Sequence, residues 1–142
     1  MKLSTKSRYA MRAMLFLAQR ADEGPQPISR ISACGLPGNY LEQLLGRLRQ
    51  EGLVRSVRGQ AGGFLLAKPA GDITLGQVIS AVEGPQSLRI CASLDACQRA
   101  EQCGLNKTWN EVALKIQDVM ASYSLHDILM SGLDAPEAGG QD

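Results

Sequence analysis

The stretch that most constrains the fold is residues 28–67, where two helical patterns are followed by two short strand patterns. Residues 37–51 predict a helix with leucines every three or four positions on one face and polar side chains on the other. A shorter predicted helix, residues 28–33, precedes it across a turn that contains Gly35. Two helices joined by a tight glycine-containing turn are typical of a helix-turn-helix, whose second helix can enter the major groove of DNA.

A β-hairpin is predicted directly after the second helix. Residues 53–57 have the pattern of a strand, residues 64–67 that of the return strand, and the glycine-rich residues 58–63 form the turn between them. Glycines let the tip approach DNA closely, and Arg58 is placed to enter a minor groove. A plain hairpin with a surface arginine is the alternative interpretation. A helix-turn-helix followed by such a hairpin predicts a winged helix, to which we assign residues 1–84.

Basic residues are concentrated in the first half of the chain. Residues 1–60 carry ten Lys or Arg against four Asp or Glu, whereas residues 61–142 carry five against ten. The net charge of +1 hides this division. A basic half joined to an acidic half indicates an anionic partner for the first half only. Near the amino terminus, Lys2 and Lys6 are candidate phosphate contacts, with a solvated surface as the alternative.

Three of the four cysteines lie in the second half, where Cys91, Cys97 and Cys103 are separated by five residues each time. A six-residue step turns a helix by about 600°, so these thiols cannot share one helical face. Residues 85–107 are therefore predicted to be a loop that gathers them. Thiolates favour iron–sulfur clusters, zinc or copper over hard cations. Structural zinc sites usually pair cysteines two to four residues apart, and a thiol or disulfide switch needs no metal; a cluster is the favoured interpretation.

An amphipathic helix follows the cysteines, and a short terminal helix follows it; together they occupy residues 108–131. Because the core elements precede the amphipathic helix, its apolar stripe needs a partner surface, and a symmetric helix pair between two protomers supplies one. Packing back onto its own domain is the alternative. The predicted fold is thus mainly α with a small β-hairpin: a winged helix-turn-helix domain plus a long C-terminal dimerisation helix. Residues 132–142 are predicted to be disordered. The predicted dimerisation residues are Trp109, Val112, Ile116, Val119 and Tyr123.

Several classes of protein are disfavoured by what the sequence lacks. No apolar region with a cleavage site opens the chain, and no apolar run approaches the roughly 18 residues that span a bilayer. We therefore expect a cytoplasmic protein without membrane contact, whose cysteines are reduced. No C-x-x-C lies in a βαβ setting and no histidine–cysteine pairing is indicated, so we expect no enzyme and no small-molecule substrate.

Three segments carry a resemblance to a known family: MKLSTKSRYA at the start, NYLEQLLGRLRQEGLVRSVRGQAGGFLLAKP at residues 39–69, and ITLGQVISAVEG at residues 73–84. Together with the three-cysteine loop, they resemble IscR-type iron–sulfur cluster regulators of the Rrf-type winged-helix family, over about residues 1–130. The resemblance implies a homodimer with crossing C-terminal helices that binds a pseudo-palindromic double-stranded DNA operator. Many members carry a cluster on the cysteine loop and change DNA affinity or sequence preference when it is gained or lost.

The resemblance also implies which residues contact DNA. Asn39 and Glu42 on the second helix and Arg58 beside Gly59 at the wing match base-contacting positions of the family. A glutamate can accept a hydrogen bond from cytosine N4, and it also repels phosphates, so Glu42 would discriminate against wrong operators. A helix cap formed by Asn39 and Glu42 is the alternative. The remaining predicted contacts are to the DNA backbone, through Arg47, Arg49 and Arg55.

The fourth ligand is where this chain departs from the family. A cluster normally takes four protein ligands, and the loop supplies three. In IscR-type regulators a histidine follows the last loop cysteine by three residues, whereas Asn106 stands at that position here. The candidates are Asn106, an exogenous ligand in its place, or Cys34 in the helix-turn-helix, for which the role of a small buried turn residue is the alternative. A 2Fe-2S cluster is favoured and a 4Fe-4S cluster is possible. We predict a homodimeric repressor that senses cluster status, iron or oxidative or nitrosative stress. The alternative is a cofactor-free regulator with a thiol or disulfide sensor.

Overall fold

Six α-helices and one β-hairpin make up the described part of the chain, which comprises residues 3–84 and 101–132 of a computed structural model. Two single-turn 3-10 helices, Ala21–Glu23 and Ala70–Asp72, lie in the connections. Some of the predicted features lie outside the described residues. They are Lys2, Cys91, Cys97, most of the cysteine loop and almost all of the tail at residues 132–142. The elements are α1 Thr5–Gln19, α2 Ile28–Ser32, α3 Gly38–Gln50, β1 Val54–Val57, β2 Gly63–Leu66, α4 Leu75–Glu83, α5 Gly104–Ala121 and α6 Leu125–Met130.

Helix α1 is the centre of the core. It begins where the Ser4 hydroxyl accepts a hydrogen bond of 3.1 Å from the Ser7 backbone N–H, which satisfies one of the free donors of the first turn. Its apolar face packs against α3, α4, α6 and β2. The largest side chains of this face, Met14, Phe16 and Leu17, are at most 2% exposed. Burial of each contributes about 1.5–3 kcal/mol relative to exposure, so α1 positions the elements around it.

The predicted helix-turn-helix is formed by α2 and α3. The turn between them uses Gly35 at φ +84°, a conformation that side-chain-bearing residues rarely adopt. Helix α3 buries its leucine stripe against α1, α4 and β1, with the predicted residues Leu41, Leu44, Leu45 and Leu48 no more than 1% exposed. The opposite face of α3 is consequently left toward solvent.

The hairpin is antiparallel and pairs Val54 with Leu66 through to Val57 with Gly63. It is fastened to the loop before α2, because the backbone N–H and C=O of Gln26 each hydrogen-bond to Phe64 at 2.8 Å. The mainly helical fold with its hairpin confirms the predicted winged helix, although β1 begins at Val54 rather than at residue 53.

Helix α5 begins at Gly104, earlier than the predicted start at residue 108. It packs against α4, where Gly76 faces Met120: a Cβ added at Gly76 would lie 3.5 Å from the Met120 Cβ. The start of α4 is also bound to the chain after α5, since the Leu75 N–H donates to the Tyr123 carbonyl at 2.8 Å. Packing of α5 on its own domain, the alternative interpretation, is therefore correct for one face of the helix.

None of the helices in residues 3–84 and 101–132 combines the length and apolarity needed to cross a bilayer.

Replacement of Gly63 by Ala tests how the wing is fastened. An added Cβ would lie 2.2 Å from the Gln26 carbonyl oxygen, at a residue with φ +150°. We expect Gly63→Ala to lower the free energy of unfolding by about 1–3 kcal/mol, the usual cost of such backbone strain. Urea unfolding measures the difference. Gly71→Ala is the control, because a Cβ there meets nothing within 4 Å; equal stabilities of the two variants would contradict the proposed close contact.

Candidate functional site

The solvent face of α3 presents the side chains predicted to read DNA. Asn39 and Glu42 are both exposed there. The helix begins at Gly38 and no side chain caps it, so the alternative in which Asn39 and Glu42 form a helix cap is wrong. Gly46 lies on the same face, and a Cβ added to it would meet no atom within 4 Å. The backbone of α3 is therefore open to close approach from solvent.

Contacts at both ends of α3 hold this face in place. At the amino-terminal end, the rings of Tyr40 and Tyr9 meet edge to face, with centroids 5.9 Å apart and planes at 73°. At the other end, Arg49 Nη1 lies 3.3 Å from the Ser56 hydroxyl of β1. Helix α3 is thus connected to α1 through one end and to the wing through the other.

The tip of the wing is a turn that only glycines fit. The Gly62 N–H donates to the Gly59 carbonyl at 3.0 Å, and a Cβ on Gly62 would lie 2.1 Å from the Val57 carbonyl oxygen. Gly59 has φ +111°. Arg58 and Arg55, two of the predicted DNA contacts, are exposed on this hairpin. The wing therefore offers cations on a compact backbone that can enter a groove.

Two predicted phosphate contacts, Arg47 and Lys6, also have partners within the protein. Arg47 Nη1 donates to the Val82 carbonyl at 2.8 Å. Lys6 Nζ lies 3.9 Å from Glu83 Oε2. Both partners belong to the last turn of α4, so these cations are engaged there in the described structure.

Glu83 was not singled out in the sequence, yet it joins α4 to the start of α1. Its Oε1 accepts hydrogen bonds from the hydroxyls of Ser4 and Ser7, the latter at 2.9 Å. The first turn of α1 has no acidic residue of its own. Because the amino-terminal end of a helix carries partial positive charge, the carboxylate of Glu83 supplies the missing negative charge. Because the first turn of α1 lacks an acidic residue, the sequence could have indicated that a carboxylate from elsewhere in the chain lies beside it.

Two of the candidate ligands lie in one helical turn. Cys103 is the N-cap of α5 and is partly exposed, while Asn106 in the first turn is 9% exposed. The Asn106 side-chain oxygen accepts a hydrogen bond of 3.0 Å from the Asn110 amide. Since an amide oxygen has two lone pairs, one remains for another partner. The single histidine of the sequence, His126, is not in this turn but is exposed on α6.

Cys34 lies in a different environment. Its side chain is 1% exposed in the hydrophobic core, beside Ile31 and Leu36. Burial raises the pKa of the Cys34 thiol, and the charges of Arg20 and Arg12 lower it to a smaller extent. A neutral buried thiol is a poor ligand, which favours the alternative role of a small core residue.

Within residues 3–84 and 101–132, no three His, Cys, Asp or Glu side chains converge as a metal site would require.

Comparisons with known proteins agree on one family. The Rrf2 family, described as iron-dependent transcriptional regulators, matches residues 3–131. The HTH-type transcriptional regulator IscR of Pectobacterium carotovorum is 41% identical over 91% of this chain and 79% of its own length. The solved structure of T. potens IscR is 38% identical, covers 99% of this chain and 94% of its own, and has a TM-score of 0.72. The oxidized form of Staphylococcus aureus CymR is 32% identical, covers 100% and 99%, and has a TM-score of 0.68.

The environment of Cys34 predicts that its thiol is unreactive in the folded protein. On brief treatment of cluster-free, reduced protein with iodoacetamide near neutral pH, we expect mass spectrometry to find Cys103 alkylated and Cys34 unmodified, because attack requires an accessible thiolate. Treatment in urea should modify both cysteines. Alkylation of Cys34 at the rate of Cys103 in the folded protein would contradict the described burial.

The same environment fixes the sign of a pH effect on stability. The folded-state pKa of Cys34 lies above its ordinary value of 9.0, so its contribution to stability is complete below pH 9.0 and is lost as pH rises through the folded-state pKa. As pH rises from 9.0 to the folded-state pKa, the free energy of unfolding of the wild type should therefore fall relative to that of Cys34→Ala, as measured by urea unfolding at each pH. A constant difference between the two proteins would contradict this linkage.

Proposed function

Because the chain belongs to the Rrf2 family of iron-dependent transcriptional regulators, we propose that it is a homodimeric operator-binding repressor that senses an iron–sulfur cluster. The chain is a DNA-binding transcriptional regulator, and its relatives are regulators rather than enzymes. The observation that carries the proposal is the solvent face of α3, with Asn39 and Glu42 exposed beside an open backbone at Gly46. A cytoplasmic location, where thiols stay reduced, is part of the proposal.

In the proposed complex, α3 lies in the major groove and the wing contacts the adjacent minor groove. Asn39 and Glu42 contact base edges, and Glu42 accepts from cytosine N4. Arg58, with Gly59 beside it, enters the minor groove. Arg49 and Arg55 neutralise phosphates, and they make binding depend on salt. The exposure of these side chains supports the proposal.

The dimer is proposed from the face of α5 that does not pack on α4. Of the predicted residues, Val119 on this helix is 58% exposed, and Tyr123, two residues after the helix ends, is 51% exposed. Trp109, Val112 and Ile116 on the same stripe are only partly buried. Apolar side chains in such a row are stabilised by a second apolar surface, and a twofold pair of α5 helices provides it. Two winged helices related by a twofold axis match a pseudo-palindromic operator.

The cluster is proposed to be held by the thiolates of Cys91, Cys97 and Cys103, which are soft ligands of the kind that iron–sulfur clusters take. Asn106, one turn into α5 from Cys103, or an exogenous ligand beside it takes the fourth position. The burial of Cys34 makes it the weaker candidate. When bound, a 2Fe-2S cluster (or a 4Fe-4S cluster) supplies redox- and oxygen-sensitive chemistry. Of the three proposed ligands, Cys103 lies at the amino-terminal end of α5.

A cofactor-free thiol sensor is the second candidate function. It is favoured by the similarity to S. aureus CymR, whose oxidized form has been solved. In that case the cysteines would change DNA affinity by oxidation in the absence of iron.

Iron and sulfide content of protein purified without oxygen tests the cluster. We expect a coloured protein, with colour and iron lost in Cys103→Ala and retained in Cys34→Ala, since Cys34 lies in the core. Loss of iron in Asn106→Ala would assign the fourth ligand to Asn106, and retention would assign it to an exogenous group. A colourless, iron-free protein after anaerobic reconstitution would overturn the cluster. A change of operator affinity on thiol oxidation of that metal-free protein would then support the second candidate.

Replacement of Glu42 tests the base-reading face. We expect Glu42→Ala to reduce the ratio of operator to random-DNA affinity about tenfold, because it removes a specific contact and a repulsion from phosphates. Fluorescence anisotropy at one fixed salt concentration measures both affinities. Glu51→Ala is the matched control, because it removes the same charge from the exposed C-cap of α3. An equal effect of the two changes would show that Glu42 acts through net charge alone and not through a base.

A further inference from the structure

The last turn of α4 is held by charged groups from two other helices. The final carbonyls of a helix lack partners within it, and the Val82 carbonyl is one of these. Arg47 in the last turn of α3 donates to it at 2.8 Å. A cation at the carboxyl end of a helix is favoured by the partial negative charge there, so this is a strong, charge-assisted contact.

The neighbouring residue, Glu83, is held by side chains at the start of α1. The carboxylate of Glu83, 20% exposed, accepts from Ser4 and Ser7 at the start of α1 and pairs with Lys6. Beyond it, Gly84 ends α4 at φ +94°, and the chain continues toward Cys91. The last described residue before the cysteines, Gly84, therefore follows the point where α1, α3 and α4 are bound together.

We propose that Arg47 is a positioning residue, which connects the recognition helix α3 to the last turn of α4 and does not contact phosphate. The proposal rests on the cluster-dependent DNA binding proposed above. A displacement of Val82 is passed through the guanidinium of Arg47 to the last turn of α3. Arg47 thereby makes the orientation of the recognition helix α3 depend on the end of α4.

The test compares Arg47→Met, Arg47→Lys and Arg49→Met. Methionine keeps the aliphatic length of either arginine and removes its charge and donors, while lysine retains a charged donor for the Val82 carbonyl. Arg49 is the matched control, because it lies two residues along α3 and is proposed to contact phosphate. Operator affinity is measured against salt concentration on cluster-free protein, and then at one salt concentration with and without the reconstituted cluster.

The salt series on cluster-free protein separates the two roles of Arg47. Each phosphate contact contributes about 0.9 to the magnitude of the slope of log affinity against log salt concentration. Arg49→Met removes one contact from each protomer, so it should reduce that magnitude by about 1.8. We expect Arg47→Met to leave the slope at the wild-type value while weakening operator binding about tenfold, the scale of one charge-assisted hydrogen bond. A slope lowered as in Arg49→Met would overturn the positioning role.

The ratio of operator affinities with and without cluster tests the coupling. We expect this ratio to approach one in Arg47→Met, to recover in Arg47→Lys, and to keep the wild-type value in Arg49→Met. A wild-type ratio in Arg47→Met would overturn the coupling. A ratio of one in the wild-type protein would instead overturn the sensing function and the coupling with it, while the salt series would still decide whether Arg47 contacts phosphate.

Discussion

The buried apolar face of α1 is the constraint on which the DNA-binding architecture depends. Helix α1 contacts α3, α4, α6 and β2, so the recognition helix and the wing are both positioned by one surface. Met14, Phe16 and Leu17 fill the space between these elements and are almost fully buried. Because close-packed side chains tolerate little displacement, α3 and the hairpin hold a defined orientation to each other.

The polar contacts at the ends of the helices complement this core. Glu83 supplies the negative charge that the first turn of α1 lacks, and Arg47 satisfies a terminal carbonyl of α4. Both contacts lie next to the segment that leads to the cysteines. The proposed sensor and the proposed DNA reader are therefore adjacent in the chain and share one junction, which offers a short route for a change at the cysteines to reach α3.

Much of the fold could be predicted because it depends on local patterns. The spacing of the leucines in residues 37–51 indicated which side of α3 is buried, and Leu44 and Leu48 are buried there. Glycines around Arg58 indicated a tight turn, and Gly59 and Gly62 both prove sterically necessary. Hydrophobic periodicity and cap residues act over a few positions, so they are visible without knowledge of the tertiary structure.

By itself, the sequence determined the helix-turn-helix, the hairpin, the exposed face of α3 and the even spacing of three cysteines, since each follows from residue type and spacing. Only the tertiary structure decided the partners of Arg47 and Glu83, which lie 35 and 76 residues from the groups they contact, in Val82 and Ser7. It also placed Cys34 in the core and began α5 at Gly104, so that Cys103 occupies the N-cap position. Charge and burial depend on neighbours brought together by folding, and no local pattern records them.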